Sequence, residues 1–338
     1  MTNPILLIPI FASFIVTLIT LPIWISKARQ VNLIWPDMNK YSKPTVAGSG
    51  GIAVTLGFVV GILLFVACRI FYLHQDSMLV EILALTATIM ILFSIGLIDD
   101  LLGWQKGGLR RRVRMFLVLV AAVPLISINA GKSVMSLPFI GVIDIGLIYP
   151  LIAIPIGILG TTTTFNFLAG YNGLEASQGI ILLSALAFVT AKTGSTWISL
   201  ILLIMVSCLI GFYIFNKLPA KVFPGDVLTY SIGAIIAITA ILGNIEKIAI
   251  FFFIPYILET ILKIRGGLKK QSFGKLNSDG SLEVPYEKFY GLEHISIWIL
   301  KKIKKDHKAN EKEVVRLINL FQILVILVGI LIFNKSIF

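Results

Sequence analysis

The stretch IGLIDDLLGWQKGGLRRRVRMF, residues 95–116, ends an apolar run with two adjacent carboxylates and then presents four arginines. The apolar run that leads into it, residues 79–98, is long enough to cross a bilayer, which takes about 20 residues per helix. Aspartate is costly near hydrocarbon, and a carboxylate at a helix C-terminus opposes the helix dipole. The stretch therefore predicts a membrane-spanning helix whose end carries a polar site that needs compensating charge.

The rest of the chain has the same character, because its 338 residues are 57% hydrophobic and only 14% charged, unlike a water-soluble domain. We predict an all-α polytopic membrane protein that forms a single integral membrane domain over residues 1–338. The ten predicted spans are 4–25, 50–72, 79–98, 114–129, 146–168, 178–194, 196–215, 227–244, 247–264 and 315–334. The first reads as a retained helix rather than a signal peptide, because no basic residue precedes it.

The positions of the cations indicate which side of the membrane each loop faces. The net charge of +12 alone could suggest nucleic acid. Most of the Lys and Arg residues, however, fall in four alternate loops: after the first, third, seventh and ninth predicted spans. The positive-inside rule places these loops in the cytoplasm and both termini on the outer side. This distribution favours an anionic ligand or anionic headgroups, and no nucleic acid partner is expected.

The last cytoplasmic loop, residues 265–313, carries two further predicted elements. In its first half, SDGS flanked by KL and LEV is typical of a small hairpin. Its second half predicts an interfacial amphipathic helix with lysines on one face. The opposite, apolar face is predicted to comprise Leu292, Ile295, Trp298, Ile299 and Ile303. On the outer side, residues 133–146 are predicted to form a short hairpin around Gly141.

The paired carboxylates Asp99 and Asp100 admit two interpretations. In the first, they anchor the span at the interface and pair with the arginines just downstream. In the second, they form a cytoplasmic carboxylate site that handles a cation, a proton or both.

A second polar group lies in LGTTTTFNFLAGYNGLEASQG, residues 159–179. The four threonines are expected to bond a neighbouring helix. Asn166 differs, because a turn-forming run follows it in which amide, backbone and carboxylate groups can converge on one ligand. The residues of this run are Gly170, Asn172, Gly173 and Glu175.

A third polar group lies in NKLPAKVFPGDVLTYSIG, residues 216–233, where Asp226 opens a predicted span. Asp226 can be an ordinary helix N-cap, a magnesium ligand near a bound phosphate, or both. All three polar groups fall on the side that the cations mark as cytoplasmic. Carboxylate and amide oxygens suit a hard metal ion, and nearby cations suit phosphate, so the sequence predicts phosphoryl transfer at a membrane surface.

The runs GLIDDLLGW, FNFLAGYNGLEASQG and KVFPGDVLTY resemble, in order and spacing, those of polyprenyl-phosphate N-acetylhexosamine-1-phosphate transferases, glycosyltransferase family 4. The run FGKLNSDGSLEVPYEKFYGLEH is similar to the one found in a particular branch of this family. That branch includes the eukaryotic dolichyl-phosphate GlcNAc-1-phosphotransferase and its archaeal relatives. The resemblance implies that GlcNAc-1-phosphate passes from UDP-GlcNAc to dolichyl phosphate, giving GlcNAc-diphosphodolichol and UMP. This reaction is the first membrane step of lipid-linked oligosaccharide synthesis for N-glycosylation. An archaeal plasma membrane is expected rather than the endoplasmic reticulum, and a homodimer is one option for the assembly.

The resemblance also assigns residues within this chain. Asn166 and Asp226 match ligands of Mg²⁺, which Mn²⁺ could replace, and Gly170 with Asn172 matches the uracil contacts. Asp99 and Asp100 match a pair that serves either in proton handling or in holding a phosphate-binding lysine. The lipid phosphate is already largely ionised near neutral pH, because such monoesters have a second pKa of about 6. We therefore favour a charge-organising role for at least one of the two.

Three departures from the family pattern concern the substrate contacts. Arg114 stands where the family has its lysine, which keeps the charge but changes its geometry. KPTVAGSGG lacks the family's glutamate. The run LKKQSFG replaces a basic motif with histidine, so Lys269 and Lys270, with Gln271, are the expected substitutes. His294 and His307 lie elsewhere and are predicted to be surface residues without a catalytic role.

Two alternatives belong to other classes of protein. A transporter or flippase of an anionic lipid would also combine polar residues with a basic face. Against it, the polar groups cluster at one face rather than near the midplane, and no inverted repeat is evident. A scaffold that binds anionic headgroups would leave Asn166 and Asp226 unexplained.

Overall fold

The computed structural model describes residues 3–137 and 141–337 and is built mainly of α-helices. The helices are α1 Leu7–Gln30, α2 Gly51–Ala67, α3 Leu79–Lys106, α4 Arg111–Val120, α5 Val123–Ser127, α6 Ile154–Phe165, α7 Leu174–Lys192, α8 Thr196–Asn216, α9 Gly225–Gly243, α10 Glu246–Phe252, α11 Ile254–Arg265, α12 Leu292–Ile303, α13 Glu311–Ile332 and α14 Asn334–Ile337. The strands form three antiparallel pairs: β1 Ile34–Pro36 with β2 Thr45–Ala47, β3 Val134–Leu137 with β4 Gly141–Asp144, and β5 Lys275–Leu276 with β6 Leu282–Glu283.

The helices confirm an all-α protein of several membrane spans. Among the described residues, 7 helices are long and apolar enough to cross a membrane. They are Pro4–Gln30, Gly51–Tyr72, Leu79–Gly103, Leu174–Lys192, Thr196–Asn216, Gly225–Gly243 and Glu311–Ile332.

The other three predicted spans coincide with shorter or interrupted helices. Residues 114–129 fall on α4 and α5, residues 146–168 on the apolar helix Tyr149–Phe165, and residues 247–264 on α10 and α11. The break between α10 and α11 precedes Pro255, whose ring and missing N–H prevent a continuous helix.

Helix α9 lies at the centre of the molecule and α1 and α13 at its perimeter. In the apolar membrane-spanning stretch of α9, 83% of the residues are buried, against 28% in the corresponding stretches of α1 and α13. Two glycines let neighbouring helices approach the N-terminal half of α9 closely. A Cβ at Gly96 of α3 would lie 2.8 Å from the backbone of Asp226, and one at Gly233 of α9 would lie 2.6 Å from Cα of Thr162. α3 and α6 are thereby held against α9.

The stretch 265–313 packs against the helices α11 and α13. The strands β5 and β6 pair around the turn SDGS, and the N–H of Leu282 donates to the carbonyl of Ala309. In α12 the buried face contains Glu293, His294 and Ile297, while Trp298 is exposed.

Of the predicted apolar face, Leu292 is buried and Ile303 is 76% exposed. The expectation for His294 is wrong, because this side chain is 0% exposed and is no surface residue. The cause is that the first turn of α12 packs against α11, where a carboxylate accepts the N–H of Leu292. His307 is exposed, as predicted.

The hairpin of β3 and β4 lies within the predicted range 133–146. β3 pairs with β4 so that Val134 faces Asp144 and Leu137 faces Gly141. Residues 138–140, which connect the two strands, lie outside the described residues.

Candidate active site

Polar side chains from three separate helices meet around Asp226, the second residue of α9. Asn166 directly follows α6, and its Nδ2 donates to Oδ1 of Asp226 over 2.9 Å. From α3, Oδ1 of Asp100 accepts the backbone N–H of Asp226 over 2.8 Å. The structure thus brings together the three polar groups that lie far apart in the sequence.

The N-cap interpretation of Asp226 is wrong, because Pro224 occupies the N-cap position and no side chain of the segment itself caps α9. Asp100 of α3 caps the helix instead, because its carboxylate accepts an N–H of the first turn of α9 over 2.8 Å. The same carboxylate accepts the hydroxyl of Ser49, also over 2.8 Å. Gly225 makes this approach available: it has φ +73°, and a Cβ there would lie 2.1 Å from Oδ2 of Asp100. The carboxylate of Asp226 is thereby left for other partners.

Asp99 pairs with the arginine that follows it along the chain. Its Oδ2 lies 2.7 Å from Nη1 of Arg114, and its Oδ1 accepts the N–H of Leu109 over 2.6 Å. Nη1 of Arg114 also lies 3.5 Å from Oδ2 of Asp226. For Asp99 the ion-pair interpretation is therefore what the structure shows, and the same cation faces the centre of the site.

Two cavities meet at Asn166. The first has a volume of 570 Å³, and its cationic lining residues are Arg111, Arg114, Lys263 and Lys270. The second has a volume of 350 Å³ and is lined by Asp226 and by Gly170, Phe223 and Phe273. The two cavities place an apolar and aromatic recess beside a cationic one, with an amide and a carboxylate at their junction.

The turn after Asn166 closes one side of the smaller cavity. Gly170 has φ +99°, and a Cβ there would lie 2.9 Å from the ring of Phe273. Its N–H donates to Oε1 of Glu175 over 2.8 Å, and its carbonyl accepts from Nδ2 of Asn39 over 3.0 Å. Glu175 is 5% exposed, so its carboxylate chiefly holds the turn that lines the cavity.

Asn172 lies behind this turn, and the linings of the two cavities do not include it. Its Nδ2 donates to Oδ2 of Asp37 over 2.9 Å, and its N–H donates to Oε1 of Glu311 over 2.7 Å. Lys40 pairs with both of these carboxylates. This network joins the β1–β2 loop to α13 and uses the donors of Asn172.

The cations of the last loop are placed differently from one another. Lys270 lines the larger cavity, and its ammonium lies 4.8 Å from the ring centre of Tyr286. Lys269 is exposed and is absent from both linings. Lys263 of α11, which sequence reasoning missed, reaches the larger cavity. The sequence does contain a feature that points to Lys263: Glu259 lies four residues before it, inside a predicted span where charged residues are costly.

The site provides part of the ligand set for a divalent cation. Among the described residues, no group of three or more His, Cys, Asp or Glu side chains is arranged to hold a metal ion alone. Asp226 and Asn166 nevertheless offer a carboxylate and an amide at the junction of the cavities. A magnesium ion that also binds a diphosphate usually needs only one or two protein carboxylates, so these two residues fit such an ion.

The comparisons with known proteins agree with the geometry. Residues 82–244 match the family model described as glycosyl transferase family 4. A Saccharolobus solfataricus protein is 39% identical over 292 residues, which cover 86% of this chain and 87% of the relative. Its provisional name is UDP-N-acetylglucosamine–dolichyl-phosphate N-acetylglucosaminephosphotransferase.

Two further relatives carry the same activity in their names. A provisionally named Sulfolobus acidocaldarius protein is 33% identical over 279 residues, 82% of this chain and 83% of the relative. A Dictyostelium discoideum protein is 28% identical over 292 residues, 75% of this chain and 70% of the relative. The resemblance drawn from the three polar runs is thereby confirmed. With a relative this similar over most of both chains, and with every aspartate of the site inside the matched residues, the chain belongs to glycosyl transferase family 4.

Proposed function

We propose that this protein transfers GlcNAc-1-phosphate from UDP-GlcNAc to dolichyl phosphate and releases UMP. The names of the archaeal and Dictyostelium relatives support this activity and do not favour a transporter. The observation that carries the proposal is the Asp226 carboxylate, which meets Asn166 and Arg114 where a cationic cavity joins an aromatic one.

The proposed topology has ten membrane crossings, with the active site on the cytoplasmic side of an archaeal plasma membrane and both termini outside. The seven long helices, the apolar helix Tyr149–Phe165 and the interrupted pairs α4 with α5 and α10 with α11 would supply these crossings. The end of α3 and the beginning of α9 meet at the site, which is consistent with cytoplasmic loops on that side. The cation-rich loops support the same orientation.

The two cavities suit the two substrates. The smaller cavity, between the Gly170 turn and the rings of Phe223 and Phe273, suits the flat base of a nucleotide. The larger cavity combines Arg114 and Lys270 with apolar residues such as Ile264, which is 61% exposed, and so suits a lipid phosphate with its tail. The phosphates of both substrates would then meet beside Asn166 and Asp226.

In the reaction, an oxygen of dolichyl phosphate attacks the β-phosphorus of UDP-GlcNAc. The bond from that phosphorus to the bridging oxygen breaks, and the electron pair leaves with UMP. The lipid phosphate is largely ionised near neutral pH, so the attack needs no separate base. Arg114, oriented by Asp99, would stabilise negative charge on the transferred phosphoryl group. Asp100 would hold the turn that directs Asp226 toward the phosphates.

Asp226 and Asn166 would hold Mg²⁺, or Mn²⁺ in its place. When bound, the ion would neutralise charge on the diphosphate. The protein's own part is to present these oxygens with fixed direction, since Asp226 is held through its backbone by Asp100 and through its carboxylate by Asn166.

Turnover of the purified protein tests the proposal. Detergent-solubilised protein incubated with UDP-GlcNAc labelled in the sugar, dolichyl phosphate and MgCl₂ should form one labelled lipid product for each UMP released. A reaction without dolichyl phosphate is the control and should form neither. The proposed activity is refuted if the complete mixture yields no labelled lipid.

Gly170→Ala tests where the nucleotide binds. The new Cβ would lie 2.9 Å from the ring of Phe273, and the φ of +99° is unfavourable for any other residue. We expect the KM for UDP-GlcNAc to rise about tenfold, since strain of 1–2 kcal/mol in the turn corresponds to that factor. The KM for dolichyl phosphate should change little. Gly280→Ala is the matched control, because Gly280 also has a positive φ, +80°, but a Cβ there would meet nothing within 4 Å. Equal effects on both KM values would argue against this binding mode.

A further inference from the structure

Four ionisable side chains are buried behind the wall of the larger cavity. Glu259 and Lys263 come from α11, and Glu293 and His294 come from α12. Glu259, Glu293 and His294 are each 0% exposed, and Lys263 is 7% exposed. Burying so many ionisable groups is costly unless they are paired or neutral, so their arrangement calls for an explanation.

Lys263 connects the cluster to the cavity wall. Its ammonium lies 3.3 Å from Oε1 of Glu259 and is hydrogen-bonded to the hydroxyl of Ser272. Ser272 belongs to the wall, together with Gln271 and Phe273, and Lys263 itself also borders the cavity. The wall segment is thus tied to α11 through one buried cation.

Glu259 joins this contact to α12. Its Oε2 accepts the N–H of Leu292 over 2.6 Å, at the first turn of α12. A carboxylate at a helix N-terminus is favourable, because it satisfies a free N–H and complements the helix dipole. Glu259 therefore has partners for a full negative charge: an ammonium and a helix N-terminus.

Glu293 lies next to Glu259 and is in a different state. In the described part of the chain, neither of its carboxyl oxygens has a hydrogen-bond partner. A Cβ built on Gly291 would lie 2.4 Å from Oε2 of Glu293 and 3.1 Å from Oε1 of Glu259, so the two carboxyl groups converge on one point. Burial, with the charge of Glu259 as a smaller cause, raises the pKa of Glu293 well above its usual range. Because neither oxygen has a partner and burial disfavours the charged form, we assign Glu293 the protonated, neutral form.

His294 is neutral as well. Its Nδ1 accepts the N–H of Tyr290 over 3.2 Å, which requires that this nitrogen carry no proton. Burial, followed by the charge of Lys263, lowers the pKa of His294 to about 4. Of the four ionisable groups in the cluster, only Glu259 and Lys263 are then charged, and they pair with each other.

We propose that Lys263, paired with Glu259, is a positioning residue of the transferase, and that its bond to Ser272 holds the Gln271–Phe273 wall against the substrates. The inference deepens the proposed function and rests on it for its kinetic consequences. The wall carries Gln271 into the larger cavity and Phe273 into both cavities, and it follows directly on Lys270. Its position therefore decides where Lys270 and Gln271 meet the lipid phosphate. A neutral Glu293 completes the arrangement, because a second negative charge there would draw the ammonium away from Ser272.

Kinetic variants test the connection between Lys263 and the wall. Lys263→Met and Ser272→Ala remove the same contact from its two ends. Each is expected to raise the KM for dolichyl phosphate about tenfold, as loss of an orienting partner commonly does, with kcat changed less than about threefold. The double variant should be no worse than either single variant, because the contact can be lost only once. Effects that multiply in the double variant would overturn the proposal.

Variants of the carboxyl groups test the assigned charges. Glu259→Gln removes the counter-charge of Lys263 and should behave like Lys263→Met, whereas Glu293→Gln replaces a neutral acid by its neutral isostere and should retain wild-type KM values. Lys301→Met is the matched control, since Lys301 of α12 pairs with the half-buried Glu283 of β6. Equal losses in Glu259→Gln and Glu293→Gln would refute the division into one charged and one neutral carboxyl group.

Hydrogen exchange separates this proposal from the proposed function. In full-length protein without substrates, Lys263→Met and Ser272→Ala should both speed amide exchange in residues 269–274, while Lys301→Met should not. This readout does not depend on turnover, so it stands even if the wild-type protein transfers no sugar phosphate. Unchanged exchange in both variants would show that Lys263 does not hold the wall.

Discussion

Asp226→Ala is expected to remove almost all transfer activity while leaving the fold intact. The carboxylate is not used to cap α9, because Asp100 accepts the N–H of that first turn. Its side chain is 23% exposed, compared with 4% for Asp99. In the variant Arg114 keeps its ion pair with Asp99, so no buried cation is left unpaired. We expect kcat/KM to fall by about 10³-fold, the scale of losing a group that stabilises charge at the reacting phosphates. Initial rates with UDP-GlcNAc and dolichyl phosphate measure the fall.

Thermal unfolding of the same variant checks that the fold is retained. Its midpoint should lie within a few degrees of that of the wild type. Asp279→Ala is the control for loss of one acidic residue, because Asp279 lies on the β5–β6 turn and pairs with Lys308 at the surface over 2.7 Å. Near-normal activity of Asp226→Ala would remove this residue from the phosphate site.

Asp100 should tolerate asparagine but not alanine. Oδ1 accepts the N–H of Asp226 and Oδ2 accepts the Ser49 hydroxyl, so an asparagine oxygen can keep the first bond while its amide donates to the hydroxyl oxygen. Asp100→Asn is therefore expected to keep kcat within about tenfold of the wild type. Asp100→Ala leaves a buried hydroxyl and the N–H of Asp226 without partners, which costs about 1–3 kcal/mol for each group. We expect its kcat to fall about 100-fold, because the turn that directs Asp226 is released.

The comparison decides between the two roles open to this aspartate. A proton acceptor would lose its function in both variants, whereas a residue that organises the turn loses it in alanine alone. Initial rates and unfolding midpoints of both variants, measured side by side, provide the comparison. An inactive but normally folded Asp100→Asn would contradict the positioning role.

The three aspartates of the site coexist because hydrogen-bond donors from several segments surround them, and Arg114 contacts two of them. Asp99 is compensated by Arg114 and the N–H of Leu109, and Asp100 by Ser49 and the start of α9. Asp226 receives a neutral amide from Asn166 and a distant contact from Arg114 at 3.5 Å. It is the least compensated of the three, which makes it the carboxylate best suited to an added cation.

Much about this protein could be predicted from its sequence. The length of the apolar runs requires membrane helices, because an unpaired backbone in hydrocarbon is too costly for other structures. The alternation of cations between loops predicted that Asp99, Asp100, Asn166 and Asp226 share one side of the membrane, and the structure brings them together. Residues near in sequence, such as Asp99 and Arg114, paired as local spacing suggested.

Tertiary packing alone decided how individual side chains are used. Periodicity shows which residues share a face of α12 but not which face another helix covers, so the burial of His294 was missed. Hydropathy likewise could not show that Asn172 donates hydrogen bonds to Asp37 and Glu311. Nor could it show that Lys263 reaches a cavity while Lys269 does not. Each of these outcomes depends on contacts between segments far apart in the chain. The sequence by itself determined a membrane transferase and its family, and the packing of α3, α9, α11 and α12 decided which polar group faces a substrate and which holds another in place.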